Sequence, residues 1–260
     1  MTSTDPARSG LRYPTRDLRK QSSTLLALHR DARVLTLPNA WDPKSALMIE
    51  ALGAQAIATT SAVIAHLRGF EDGEGMPADV AIAAIAEITG AVSVPVTADL
   101  EAGYGDAFTT VRRAVGVGAS GANIEDELLP LDRAIALMEA ALAGAAAEGV
   151  DLVLNARTDV YLKDGIDPSR RFDEAVARGK AYLASGAACL FVPGLKDAET
   201  VAALVRELGW HTVSLLGTSD GPHPQTWAAI GVARVSYGPY VHRALADDRA
   251  EWVTRLLADA

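Results

Sequence analysis

Beyond about residue 30 the chain repeats one unit eight times: a short apolar run, a polar turn and a longer Ala/Leu-rich stretch. The apolar runs are Arg33–Leu37, Ala54–Thr60, Val94–Asp99, Gly121–Glu125, Leu152–Ala156, Ala188–Val192, Thr212–Leu216 and Ala233–Tyr237. Continuous apolar runs of about five residues suit parallel strands buried on both faces. The stretches between them predict helices over Pro43–Leu52, Ala78–Thr89, Thr109–Val117, Asp132–Ala147, Ser169–Ala184, Ala198–Leu208, Pro224–Ile230 and His242–Leu257. Gly53, Gly90, Gly149, Gly186, Gly209 and Gly231 read as helix C-caps. A further short helix is expected over Asp17–Arg30, with the polar residues 1–16 as a flexible N-terminal arm.

Eight strand–helix units predict a closed (β/α)8 TIM barrel, a fold of roughly 250 residues. The chain has 260, so residues 17–260 are read as one catalytic domain. An open doubly wound sheet would place a Gly-rich phosphate loop after an early strand. The first run is followed instead by Pro38-Asn39-Ala40-Trp41-Asp42, without glycine.

Composition adds limits. Hydrophobic residues are 49% of the chain and aromatics 5%, which favours tight helix-on-sheet packing. A net charge of -9 repels phosphate backbones, so no nucleic-acid partner is expected. One cysteine, Cys189, excludes an internal disulfide and a multi-Cys zinc site, and its apolar setting reads as a buried inert thiol. No run of about 18 apolar residues occurs and no secretory h-region is visible, so a cytoplasmic protein that does not enter membranes is expected.

In such barrels the chemistry sits at strand C-termini and the loops beyond them. Acidic and basic residues collect at the ends of the third, fourth and fifth predicted strands: Asp99 and Glu101, Glu125, and Arg157. Converging carboxylates repel one another unless a cation neutralises them. Oxygen donors without His or Cys favour Mg²⁺ or Mn²⁺ over zinc. Arg157 offers a planar fork for an anionic substrate. Asp42 and Asp106 read as helix caps. His29, His66, His211, His223 and His242 read as surface residues, and Ser61 has no His/Asp pair in sequence to make it a nucleophile.

Four segments, Pro38–Asp42, Thr97–Gly105, Asn123–Asp126 and Asn155–Asp159, resemble the isocitrate lyase/phosphoenolpyruvate mutase superfamily, and Gly231–Pro239 is similar to it as well. The matches run in order from about residue 34 to 245. The resemblance implies a Mg²⁺-dependent barrel of the phosphoenolpyruvate/pyruvate type, acting on small 2-oxo or 2-hydroxy carboxylic acids. Asp99 would bind the metal directly, and Asp72, Glu101 and Glu125 would hold its water shell. Arg157 would contact the substrate, with Thr60, Ser61 and Ala62 as a carboxylate cradle and Trp41 beside it. The resemblance also implies a last helix swapped between subunits, giving a homodimer or homotetramer.

The departures are equally informative. Isocitrate and methylisocitrate lyases carry a Lys-x-Cys-Gly gating loop after the fourth strand. Here Glu125 runs into Asp126-Glu127-Leu128-Leu129-Pro130, and a helix starts almost at once. Ordinary isocitrate lyase chemistry is therefore not expected, and the Asn or Lys/Arg used by phosphonomutases has no clear counterpart. Three readings follow. The first is a lyase whose metal and Arg157 stabilise an enolate from an oxaloacetate- or methylisocitrate-like substrate, with Glu125 and Tyr104 as further catalytic candidates. The second is a phosphonomutase acting on phosphoenolpyruvate-like compounds, and the third a metabolite-binding homologue without catalysis.

Overall fold

The computed structural model describes residues 17–258; the expected arm, residues 1–16, lies outside them. Nine parallel strands form one sheet: β1 (Leu35–Leu37), β2 (Asn39–Ala40), β3 (Ile57–Thr59), β4 (Val96–Asp99), β5 (Gly121–Glu125), β6 (Val153–Arg157), β7 (Cys189–Phe191), β8 (Val213–Leu216) and β9 (Arg234–Ser236). The extra strand comes from Pro38. It has no N–H to give to a ladder, and it separates β1, which ends where the first predicted strand ends, from β2, which falls in the expected turn. β1 pairs with β9 and β2 with β3, so one residue of chain joins the two edges and the TIM barrel closes. Asn39 reinforces the seam. Its Oδ1 accepts from the N–H groups of Tyr237 and Gly238, both at 2.8 Å, and its Nδ2 donates to the Thr59 carbonyl at 2.7 Å.

Ten α-helices surround the sheet among the described residues: α1 (Leu18–His29), α2 (Pro43–Ala51), α3 (Ser61–Leu67), α4 (Ala78–Ala91), α5 (Ala107–Gly116), α6 (Leu131–Ala147), α7 (Arg171–Ala184), α8 (Ala198–Leu208), α9 (Pro224–Ala228) and α10 (Tyr240–Ala258). Asp42 and Asp106 cap α2 and α5 as expected, Asp42 within a capping box. The main core is aliphatic and lies between strands and helices, with Ile124, Leu154, Leu190 and Val213 fully buried. α1 packs its apolar face on the barrel: Leu25 is fully buried, and a Cβ at Gly121 would stand 2.7 Å from its Cδ2. Glycine at 121 thus makes room for Leu25.

Several expectations need correction. α3 replaces the loop expected after the second strand, and His66 lies within it. Gly90 is inside α4 rather than capping it, whereas Gly53, Gly149, Gly186, Gly209 and Gly231 take the positive φ of a terminator. His29 is not at the surface. It is 1% exposed, with Nδ1 2.7 Å from the Leu25 carbonyl, and burial followed by the nearby Arg234 charge holds its pKa down at about 3.

Arg234 itself is fully buried inside the barrel. Its Nη2 donates to Asn123 Oδ1 at 3.2 Å, an oxygen that also accepts from Asn155 Nδ2 at 2.9 Å. Burial pulls the guanidinium down to about 10, opposed by Cys189 and Asp99. Cys189 is buried as expected, and loss of solvent pushes its thiol up to about 12.

Candidate active site

β4 ends on Asp99. Its backbone N–H donates to Thr59 Oγ1 at 2.8 Å, and its Oδ2 accepts from the Ser61 N–H at 3.0 Å and the Ser61 hydroxyl at 2.8 Å. Its Oδ1 has no hydrogen-bond donor among the described residues. Thr60 is the N-cap of α3 and Ser61 its first residue. The first N–H groups of a helix have no partner within it. The expected substrate cradle therefore spends its Ser61 donors on the Asp99 carboxylate.

Beyond Asp99 the chain turns through left-handed residues, Glu101 (φ 50°) and Tyr104 (φ 53°). Gly103 lies between them at φ 93°, where a Cβ would sit 2.7 Å from that of Ala107. Glu101 is 3% exposed. Its Oε2 accepts from the Glu74 N–H and its Oε1 from the Tyr104 hydroxyl at 3.0 Å, while the Tyr104 N–H donates to Glu74. Burial, then the charge of Asp99, pushes Glu101 up to about 7. Burial also raises Tyr104, so its phenol keeps its proton. Asp72, in the loop beyond α3, is raised by desolvation and then by Asp99.

On the next two strands Glu125 and Arg157 stand in register and pair side by side. Arg157 Nη1 lies 2.5 Å from Glu125 Oε2, and Arg157 Nε donates to Asp159 Oδ1 at 2.7 Å. Burial pushes Glu125 up to about 8; Arg157 opposes the shift and Asp159 adds to it. Burial works against the Arg157 charge, but Glu125, Asp159 and Asp99 outweigh it and raise its pKa.

The turn after β5 is short: residues 126–130 separate it from α6. Asp126, fully buried, pins this turn. Its Oδ2 accepts from Arg178 Nη1 at 2.9 Å and the Tyr182 hydroxyl at 2.7 Å, and its Oδ1 from the N–H groups of Leu128 and Asp159. No gating loop is inserted here.

Of the residues singled out from sequence, Asp72, Asp99, Glu101, Tyr104, Glu125 and Arg157 influence one another at one mouth of the barrel. Thr60, Ser61 and Ala62 form its rim at the start of α3. Trp41 is buried beside it, edge-on to His242 of α10 at 4.8 Å between ring centroids. A cavity of about 480 Å³ adjoins the rim, lined by Ala62, His66, Asp72, His242 and Arg243 among others. Glu74, Asp126, Asp159 and Lys163 were not anticipated. Asp159 carried a signal, since it follows Arg157 by two residues in the matched motif. Glu74 carried none, because its role depends on a loop folding back over the mouth.

The donor set fits a hydrated magnesium ion. Among the described residues no group of three or more His, Cys, Asp or Glu side chains converges closely enough to ligate one ion directly. Mg²⁺ commonly takes one or two carboxylates and keeps several waters. Asp99 as the one direct ligand, with more distant acids around it, would meet that pattern; Asp72 and Glu101 are raised first by burial and then by the Asp99 charge, which a bound cation would offset.

Comparison with known proteins shows the family of this barrel. The model of the phosphoenolpyruvate phosphomutase family matches residues 25–257. An uncharacterised protein of Mycobacterium tuberculosis is 34% identical over 229 residues, covering 82% of this chain and 81% of that one. An oxaloacetate decarboxylase of Paraburkholderia xenovorans is 30% identical over 187 residues, covering 65% of this chain and 60% of that one. Among solved structures, a putative phosphonomutase of Burkholderia cenocepacia superposes with a TM-score of 0.85 at 36% identity, covering 90% of this chain and 99% of that one. With its barrel, its strand-end acids and a match along nearly its whole length, the chain belongs to the phosphoenolpyruvate phosphomutase family, within the isocitrate lyase/phosphoenolpyruvate mutase superfamily.

Proposed function

We propose that this protein is a Mg²⁺-dependent lyase that cleaves a C–C bond in a small 2-oxo or 2-hydroxy carboxylic acid of the oxaloacetate or methylisocitrate type. The observation carrying this reading is the meeting of the Asp99 group of acids with a rigidly held Arg157 at one mouth. Similarity to an oxaloacetate decarboxylase supports it. Asp99 would hold the metal, with Asp72, Glu101 and Glu125 around its water shell. When bound, Mg²⁺ supplies positive charge that polarises a carbonyl or carboxylate oxygen.

The chain's own residues do the remaining work. In an oxaloacetate-type reaction the C–C bond breaks, one fragment leaves as CO₂, and the electron pair stays on the other as an enolate. Arg157 faces that growing negative charge already fixed by Glu125 and Asp159, so little reorganisation is needed during the reaction. Tyr104 holds Glu101 in place through its protonated hydroxyl.

The test is to incubate purified protein with Mg²⁺ and a panel of C4 to C7 oxo and hydroxy acids. Turnover that stops when the metal is chelated is the expected result. No turnover of any member, by protein shown to bind Mg²⁺, overturns the lyase reading. Similarity to the putative phosphonomutase favours one second reading, P–C bond chemistry on phosphoenolpyruvate-like substrates. Phosphorus NMR with phosphoenolpyruvate and phosphonopyruvate separates the two.

A further inference from the structure

Lys163 lies in the turn beyond β6, outside every motif that pointed to the site. Its Nζ is 2.9 Å from Asp159 Oδ2, 3.5 Å from Glu127 Oε1 and 3.8 Å from Glu125 Oε1. A surface lysine normally carries its charge on a flexible, hydrated stem. This one differs, because its closest partner, Asp159, is fully buried. Asp159 uses its two oxygens for two cations, Oδ1 for Arg157 and Oδ2 for Lys163. A single buried carboxylate thus pairs with both positive groups and draws them next to each other.

The pair already faces the carboxyl group of an acidic side chain. Glu125 presents Oε2 to Arg157 and Oε1 to Lys163. The two cations are exposed unequally: the Lys163 side chain is 39% accessible and that of Arg157 only 19%. Lys163 is therefore the more accessible cation of the pair. Burial works against the lysine's charge, but Asp159, Glu125 and Glu127 together raise its pKa, so the ammonium persists at neutral pH. The short β5–α6 turn meets this cation through Glu127 and leaves the lysine side chain 39% accessible.

We propose that Lys163 is a specificity-determining residue, which works beside Arg157 to receive the far carboxylate of a dicarboxylic substrate. This rests on the reading that a small 2-oxo acid binds at this mouth. A compact ammonium suits the task, since it can accept a carboxylate from several directions without the fixed fork that arginine imposes.

Calorimetry with Mg²⁺ present tests the proposal, using two probes on the whole protein. Oxalate has the chelating end alone; 3,3-difluorooxaloacetate adds the far carboxylate. For Lys163→Met, difluorooxaloacetate should bind at least tenfold more weakly while oxalate stays within twofold. Lys163→Arg, which keeps the charge, should recover most of the loss. Equal weakening of both probes, or no change in either, overturns the proposal, because a lysine that merely ties two loops would not discriminate between them. If the unmodified protein binds neither probe, the functional reading fails at its root and the role of Lys163 falls with it.

Discussion

Asp99 and Ser61 are joined twice: one carboxylate oxygen of Asp99 accepts both the backbone N–H and the hydroxyl of Ser61. The start of α3 is therefore tied to the end of β4, and the other oxygen of Asp99 is oriented by the bonds its twin makes. Groups that orient a metal ligand typically contribute about 10–100-fold in metal affinity. Ser61→Ala should weaken Mg²⁺ binding by about tenfold, within that range. Asp99→Asn, which keeps the shape and removes the charge, should abolish the Mg²⁺-dependent rise in melting temperature. Thermal unfolding across a Mg²⁺ titration checks both, and an unchanged response in Asp99→Asn would place the metal elsewhere.

The Asp126–Arg178–Tyr182 group predicts a large effect on stability. The Arg178 side chain is 4% exposed and Asp126 is fully buried. Removing one partner of a buried ion pair leaves the other charge without compensation, a cost of about 3–5 kcal/mol. Arg178→Met should approach that loss in urea denaturation. Tyr182→Phe, which removes one hydroxyl, should cost about 1 kcal/mol.

The raised acids set a pH dependence. Glu101 moves from 4.5 to about 7 and Glu125 from 4.5 to about 8. The folded protein thus binds these protons more tightly than the unfolded chain does. The stability they contribute is complete below pH 4.5 and is lost as the pH rises through about 7 to 8. In metal-free buffer, Glu101→Gln should flatten part of this decline between pH 5 and 8. Denaturation curves that keep the same slope in the variant would contradict the assignment.

Near its C-terminal end, α10 shows solvent a row of apolar side chains. Trp252, Val253 and Leu257 are 57%, 44% and 73% exposed. Exposed apolar groups of this kind mark association surfaces, and we propose that a second copy of the chain covers them. Light scattering should give a dimer or larger species, and Trp252→Glu should shift it toward monomer. A monomer at micromolar concentration before any substitution would refute this.

The fold was legible in sequence because burial on both faces writes parallel strands as apolar runs. Asp99, Glu101, Glu125 and Arg157 were legible for a related reason: charge at the end of an apolar strand stands out. α3 was hidden, since Ser61–Leu67 is only seven residues long and starts directly after the strand-end threonines Thr59 and Thr60. His29 was misread because the polar first half of its helix, residues 19–24, reads as a solvated face, although Leu25 lies one turn before His29 on the same buried side.

By itself the sequence determined the barrel, the order of its units and the strand ends that carry charge, because period and polarity are properties of neighbouring residues. Only the tertiary structure decided that a second short strand follows Pro38 and closes the seam, that Ser61 serves Asp99, and that buried Asp159 pairs with both Arg157 and Lys163. Each of those is a contact between elements or a displacement of a ladder. Its energy depends on geometry and desolvation that arise only once the sheet has closed.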